Sequence, residues 1–377
     1  MAHAYTPGLK VTPRTIIRKE RRLPLKGNIL VKKGEKVDSS TVVARTELPG
    51  NVESINVVNK LSITPAEINE VMLKKEGEAV EKGEMIAQSM GFFGFFKTPV
   101  YSTCSGTIES VSSVTGQVIL RHKPIPVELR AYIDGVVEEV LPEEGVILGN
   151  ESAFIQGIFG IGGETEGELV VATKEIKEVL DETKITAEMK DKIIIAGGFV
   201  TTSALNKAIK VGAKGIIAGC VDADDLKNFL GYDIGVAITG HEEKGITLVL
   251  TEGFGKISMA KKTWELLIAN EGKKASINGA TQIRAGVMRP EIIITINIPD
   301  NMNEVNEQEY SKSSGMDVGS NIRIIRDPNF GEIVKVKSLP VELTVVESET
   351  KVRVVEVELK DGKTMLVPRA NVETIEE

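Results

Sequence analysis

The sequence predicts a multi-domain chain of α/β plus β class, with a central open, mostly parallel α/β sheet between two β modules. Three observations carry this expectation. Lys192 to Val221, KIIIAGGFVTTSALNKAIKVGAKGIIAGCV, runs as strand, glycine turn, helix, glycine turn, strand, which is one βαβ unit. The segments on either side alternate apolar and polar residues around glycine turns, as strands do. Aromatic residues make up only 4% of the chain while glycine occurs 36 times, a composition suited to Val, Ile and Leu cores joined by tight turns.

A chain of 377 residues has room for two or three domains with real cores. The formal net charge of −8 argues against a protein that coats nucleic acid electrostatically. Cys104 and Cys220 stand far apart, with no CxxC and no histidine at ligand spacing, so neither a disulfide framework nor a zinc site is expected and a reducing compartment fits. No apolar stretch approaches the length of a membrane span, and the amino terminus lacks a signal-peptide core. A cytoplasmic protein without a cofactor is the expectation.

From the amino terminus, Arg14 to Arg22 (RTIIRKERR) is the most basic short segment, either a solvated strand end or an arm for phosphate or acidic groups. Leu23 to Gly50 then places apolar residues around glycine turns, and Lys74 to Ser89 repeats the pattern. Gly34 and Val37 correspond to Gly77 and Val80, and Val43-Ala44 to Ile86-Ala87, which predicts an internal repeat of hairpins. EGEAVEKGEMIA, a gap, then SGTIESVSSVTGQVIL resembles the barrel-sandwich hybrid fold of biotinyl and lipoyl carrier domains, also found at the start of Rnf-type electron-transport subunits. In carriers the resemblance implies a modified lysine between the two halves. Here that place holds SMGFFGFFKTPVYSTC, with Lys97 as its only lysine and without the flanking methionines, so the fold is carried over and the carrier function is not. AYIDGVVEEVLPEEGVIL continues the β pattern, giving a β domain over residues 1–150.

QGIFGIGGETEG, Gln156 to Gly167, is a glycine-dense linker into the α/β domain of residues 168–298. Lys174 to Leu180 is expected to be helical, DADDLKNFLG a short acidic helix, GVAITG and GITLVLTEGFG strands, and ISMAKKTWELLIANEG a helix. Ile257, Ala260, Trp264, Leu267 and Ile268 are placed on the core face of that last helix. Residues 299–317 have linker composition. Beyond them, GSNIRIIRDPNFGEIVKVKSLP resembles a KOW motif, which implies a small SH3-like barrel over residues 318–377, with Asp361-Gly362 as a hairpin turn. The second glycine usual in that motif is replaced by Glu332-Ile333-Val334.

Candidate chemistry gathers at the carboxyl ends of the parallel strands, where open α/β sheets bind ligands. Gly197, Gly198 and Thr201 offer amides and a helix start to an anion. Asp222, Asp224 and Asp225 form either a helix cap or a cation site, and His241 is a surface loop residue rather than a base with a nucleophile to serve. Arg284 and Arg289 suit a carboxylate or phosphate clamp, or inter-domain ion pairs. No catalytic constellation and no metal site is complete. The functional expectation is a non-catalytic assembly or adaptor protein, homo-oligomeric or bound to a protein partner. Its competitors are an enzyme or cofactor-binding subunit with an anionic ligand at the strand ends, and a nucleic-acid-associated protein working through the C-terminal barrel. Phe92, Phe93, Phe95 and Phe96 in the GFFGFF loop are the expected docking surface, because alternation cannot bury two adjacent pairs on one sheet face.

Overall fold

The computed structural model describes residues 9–90, 97–232, 244–281, 289–300, 302, 318–324, 332–340, 342–345, 351–359 and 362–374. The chain is mostly β, with many sheets and few helices. Among the described residues the largest unit is a twelve-stranded mixed sheet. The strands are β1 (Val11–Arg22), β2 (Lys36–Val37), β3 (Gly135–Leu141), β4 (Gly145–Gln156), β5 (Phe159–Ile161), β6 (Glu164–Val171), β7 (Lys192–Ile195), β8 (Phe199–Val200), β9 (Gly215–Val221), β10 (Thr247–Phe254), β11 (Lys274–Asn278) and β12 (Glu291–Asn297). They lie in the order β5-β10-β9-β7-β6-β11-β12-β4-β3-β2, with β1 also paired to β4 and β8 to β9.

β6, β7, β9 and β10 are parallel neighbours, in the order in which the chain visits them. Right-handed crossovers between strands in sequential order all fall on one face. On that face the segment 172–191, helix α1 (Thr202–Val211) and helix α2 (Ala223–Leu230) bury Leu180, Ile185, Leu205, Ala208 and Leu226 in one cluster with Ile194, Ile216 and Leu248. To reach β11 beyond β6, the chain must recross the sheet after β10. Helix α3 (Lys261–Ile268) lies on this route and covers the other face, where Trp264 and Leu267 join Ile193, Ile195, Ile217 and Val249. With both faces covered, every residue of β9 is buried, as the unbroken apolar run of the sequence requires.

Four expectations need correcting. The sheet is mixed rather than mostly parallel, since β5, β11, β12, β4 and β3 all join it antiparallel. Lys174 to Leu180 is not helical: the amides of Lys174 and Glu175 both donate to the Glu178 carboxylate, which closes a turn. Gln156 to Gly167 is not a linker but contains the edge strand β5 and the start of β6. Its glycines permit close backbone approach, a Cβ on Gly160 standing 2.6 Å from the carbonyl oxygens of Gly279 and Leu248. Helix α3 is shorter than expected and its core face narrower, for Ile257 and Ile268 are 42% and 39% exposed.

The amino-terminal half uses one pairing scheme twice. In the outer copy, Gly34 (φ 82°) turns the chain into β2, which pairs Val37 with Gly135. In the inner copy, Gly77 (φ 84°) turns it into Ala79–Val80, which pairs Val80 with Gly106. The next strands, Val42–Leu48 and Met85–Gln88, pair Ala44 with Leu129 and Ala87 with Val100. Each copy closes with a bulged hairpin: Val137 faces Leu148 and Glu139 faces Ile147 in one, Ile108 faces Leu120 and Ser110 faces Ile119 in the other. The sequence repeat is thus the first half of a longer one. The inner copy lies wholly within the connection between the outer strands Val42–Leu48 and Ile125–Arg130.

β4 joins the outer copy to the α/β layers. One edge pairs with β1 along the strand, and the other pairs first with β3, up to Gly149, and then with β12, from Glu151. At the change of partner the buried Asn150 donates to the Asp134 carbonyl at 2.7 Å and the Thr295 hydroxyl at 3.1 Å. The expected division at residue 150 therefore falls inside a continuous strand. Basic residues of β1 pair with Glu138, Glu151, Glu291 and Glu164 from four other strands, so the basic segment is stitched into the sheet. Part of the expected 299–317 linker is docked too, with Met302 buried against Gly149.

The described C-terminal residues form a six-stranded antiparallel sheet in which Asn321–Ile324 pairs with both Ile333–Ser338 and Val372–Thr374. Ile322, Ile324, Val334, Val336, Val355 and Val357 form its core, in the alternation the sequence gives. Gly362 (φ 81°) turns the chain between Lys351–Glu358 and Thr364–Pro368.

Leu267→Ala should cost about 2 to 5 kcal/mol in urea unfolding, as truncation of a fully buried leucine does, whereas Ile268→Ala on the exposed flank should change stability by less than about 0.5 kcal/mol.

Candidate functional site

The carboxyl ends of β7, β9 and β10 bring Gly197, Gly198, Thr201 and Asp222 to one edge of the sheet. The local chemistry there is largely internal. The Gly197 amide donates to the Thr173 hydroxyl, and its carbonyl accepts from the Met259 amide at 2.7 Å. A Cβ on Gly197 would stand 2.5 Å from the Ile176 Cα, one on Gly198 2.6 Å from the Glu178 carbonyl, and one on Gly219 2.7 Å from the Met259 nitrogen. These glycines admit the chain's own crossing segments.

Thr201 caps α1, its hydroxyl accepting from the Ala204 amide at 3.2 Å. Asp222 caps α2 by accepting from Asp224, and Asp225 reaches back to the first turn of α1, taking the Thr202 hydroxyl at 2.6 Å. A carboxylate thus already sits at the helix end that would attract an anion. Cys220 is buried below, with its Sγ 2.8 Å from the Gly255 carbonyl and accepting from the Ile257 amide. Burial, with lesser help from Glu252 and Asp222, raises the pKa of its thiol.

One buried polar contact at this edge is not disclosed by the sequence. Glu252, near the end of β10, is only 5% exposed along its side chain and accepts from the Ala260 amide at the start of α3 and from Arg323 of the C-terminal sheet, both at 2.8 Å. Arg323 thereby fastens the last module to the strand ends.

Arg289 stands elsewhere. It precedes β12, which runs parallel to β6 because both pair antiparallel with β11, so it lies at the opposite, amino-terminal edge of the parallel strands. The described residues therefore do not bring Arg289 to Gly197, Gly198 and Asp222. Arg284, His241, the strand expected at GVAITG, and Phe92, Phe93, Phe95 and Phe96 lie outside the described residues.

A second constellation occupies the inner copy. Val118, Leu120 and His122 share one face of their strand by period two, as do Ile55 and Glu53 of the neighbouring strand Val52–Asn56, where Glu53 pairs with Leu120. That face is apolar up to its end, where Glu53 and His122 replace hydrophobic residues beside the buried Cys104. The Glu53, Cys104 and His122 side-chain atoms lie within 4.8 Å of one another, with the Glu53 Oε1 3.0 Å from the His122 Nε2. The Thr103 hydroxyl donates to the other Glu53 oxygen at 2.6 Å; this bond first, then His122, holds the Glu53 carboxyl below its usual range. Burial, then the Glu53 charge, pushes the Cys104 thiol up. No local motif signals this group, because its members come from two strands and from the bend between two others.

No family model and no curated protein matches the chain. Among the described residues no helix is long and apolar enough to cross a membrane.

Arg323→Ala leaves the buried Glu252 carboxylate without its guanidinium and should cost about 3 kcal/mol or more in denaturant unfolding. Glu252→Gln in the same chain should recover a substantial part, and a double-mutant cycle measures the coupling.

Proposed function

We propose that the chain is a non-catalytic, multi-domain assembly or adaptor protein, homo-oligomeric and acting through protein–protein contacts. In this reading a nested pair of barrel-sandwich hybrid modules, a central α/β layer and an SH3-like barrel form one scaffold. The observation that carries it is the use made of the strand ends: the segments 173–178 and 255–260 pack onto the glycines there, and Arg323 of the last module pairs with Glu252. The position at which an open α/β sheet receives a ligand is thus spent on joining parts of the same chain.

The inner copy supplies a surface for a partner. Leu73, Met90 and Tyr101 are 55%, 62% and 49% exposed on or next to the ribbon formed by Met85–Gln88 and Pro99–Tyr101. Large apolar side chains exposed along one ribbon suit docking onto a second copy. The C-terminal module carries Glu342, Glu356 and Glu358 among its lysines and arginines, which favours a protein contact over a phosphate backbone.

Size-exclusion chromatography with light scattering tests this reading. An assembly larger than one chain is expected, and Leu73→Ser combined with Tyr101→Ser should shift it toward the monomer. A strict monomer with no co-purifying partner contradicts the proposal.

A further inference from the structure

We propose that Glu53, Cys104 and His122 form a binding site for a single divalent transition-metal ion of the zinc class. The three supply one carboxylate oxygen, one sulfur and one imidazole nitrogen, a donor set that zinc accepts and that the hard cations calcium and magnesium, which require oxygen ligands, do not. Zinc-bound nitrogen and oxygen atoms at roughly 2.0 to 2.2 Å from the ion in a tetrahedron stand about 3.3 Å apart. The Glu53 Oε1 and His122 Nε2 are already 3.0 Å apart, and all three donor atoms lie within 4.8 Å. Small side-chain adjustments therefore suffice to place an ion among them.

The surroundings have the features of a holding site. Cys104 is fixed in the core of the inner copy, and Thr103 orients the Glu53 carboxylate through its second oxygen. Such outer hydrogen bonds set the direction of a ligating group. Glu53 and His122 are partly open to solvent, with side chains 44% and 37% exposed, which gives an entry path and leaves a fourth position for water or for a group from outside the chain.

The outer copy provides an internal comparison. By the shared register, Gly106 corresponds to Gly135, which puts Ile133 where the inner copy has Cys104 and Asn150 where it has His122. Ile133 is fully buried in an apolar cluster, and Asn150 bonds to Asp134 and Thr295. The fold is thus built at this place without a thiol or an imidazole, and the donor set belongs to the inner copy alone.

Binding exchanges protons for the ion. The neutral Cys104 thiol loses its proton to solvent and ligates as thiolate, while His122 ligates through Nε2 and any proton on that nitrogen moves to Nδ1 or to solvent. At least one proton is released per ion, so affinity rises with pH.

The test uses the full chain, reduced and stripped with a chelator, titrated with Zn²⁺ in two buffers of different ionisation enthalpy and separately with Co²⁺. Expected are one saturable Zn²⁺ per chain, buffer-dependent heat from proton release, and a thiolate-to-metal charge-transfer band with Co²⁺. Cys104→Ser and His122→Asn should each weaken Zn²⁺ by about a hundredfold or more, since even outer-shell losses cost 10- to 100-fold, and Cys104→Ser should abolish the band. Cys220→Ser should leave both readouts intact. Circular dichroism and thermal melts show whether each variant is folded, and Glu53→Gln at the exposed edge gives a second, milder weakening should Cys104→Ser lose its fold. Absence of stoichiometric Zn²⁺ binding, or full affinity in folded His122→Asn and Glu53→Gln, overturns the proposal.

Discussion

The architecture depends on the double pairing of β4. A strand hydrogen-bonded on both edges and buried at almost every position leaves little freedom to what pairs with it, because a slip of one residue would turn its apolar side chains to the wrong face. β1 fills one edge, while β3 and β12 share the other end to end. Asn150 spans the ladder break between them, its side chain donating to the Asp134 carbonyl beside β3 and to the Thr295 hydroxyl of β12. The amino-terminal module is therefore not strung on a linker but grows from the same sheet as the α/β layers.

Polar contacts reinforce the seam. Lys274 of β11 reaches Asp38 at 2.7 Å and Asp134 at 2.8 Å, and its pKa rises because these two partners outweigh the burial that opposes its charge. The Lys274 hydrogen bond, followed by the Ser40 amide, depresses Asp38 far below the usual carboxylate range. Tyr132 sits at the same seam with a left-handed φ of 71°, an uncommon conformation for a bulky residue. Its amide donates to Ser39, its carbonyl accepts from Ser276 and its hydroxyl reaches Glu291. The conformation is held from three directions, as a strained residue must be.

Much of the α/β layer was legible because its signals are local. The unbroken apolar run of Ile193 to Ile195, the Thr201 cap and Gly212 as helix stop predict a βαβ unit, and β7, α1 and β9 occupy those places. Long-range pairing left no such mark. Phe159 and Ile161 lie among glycines, yet β10 recruits them as an edge strand. Lys174 to Leu180 has helical spacing, but packing against Gly197 and Gly198 dictates its path. The repeat was visible where Gly34 and Gly77 punctuate it and hidden in the second halves, where Ile133-Asp134-Gly135 and Cys104-Ser105-Gly106 share only a glycine and a pairing register. The Glu53, Cys104 and His122 group was illegible for the same reason, its members being adjacent only once the inner copy is folded.

Native-state hydrogen exchange with fragment-level resolution tests the shared strand most directly. If β4 unites the two parts, the paired amides of β1, β3, β4 and β12 open together, with one common free energy near that of global unfolding. Protection in β1 and β3 that is lost at a distinctly lower free energy than in β12 would contradict the account, since the amino-terminal module would then unfold independently of the sheet it is said to share.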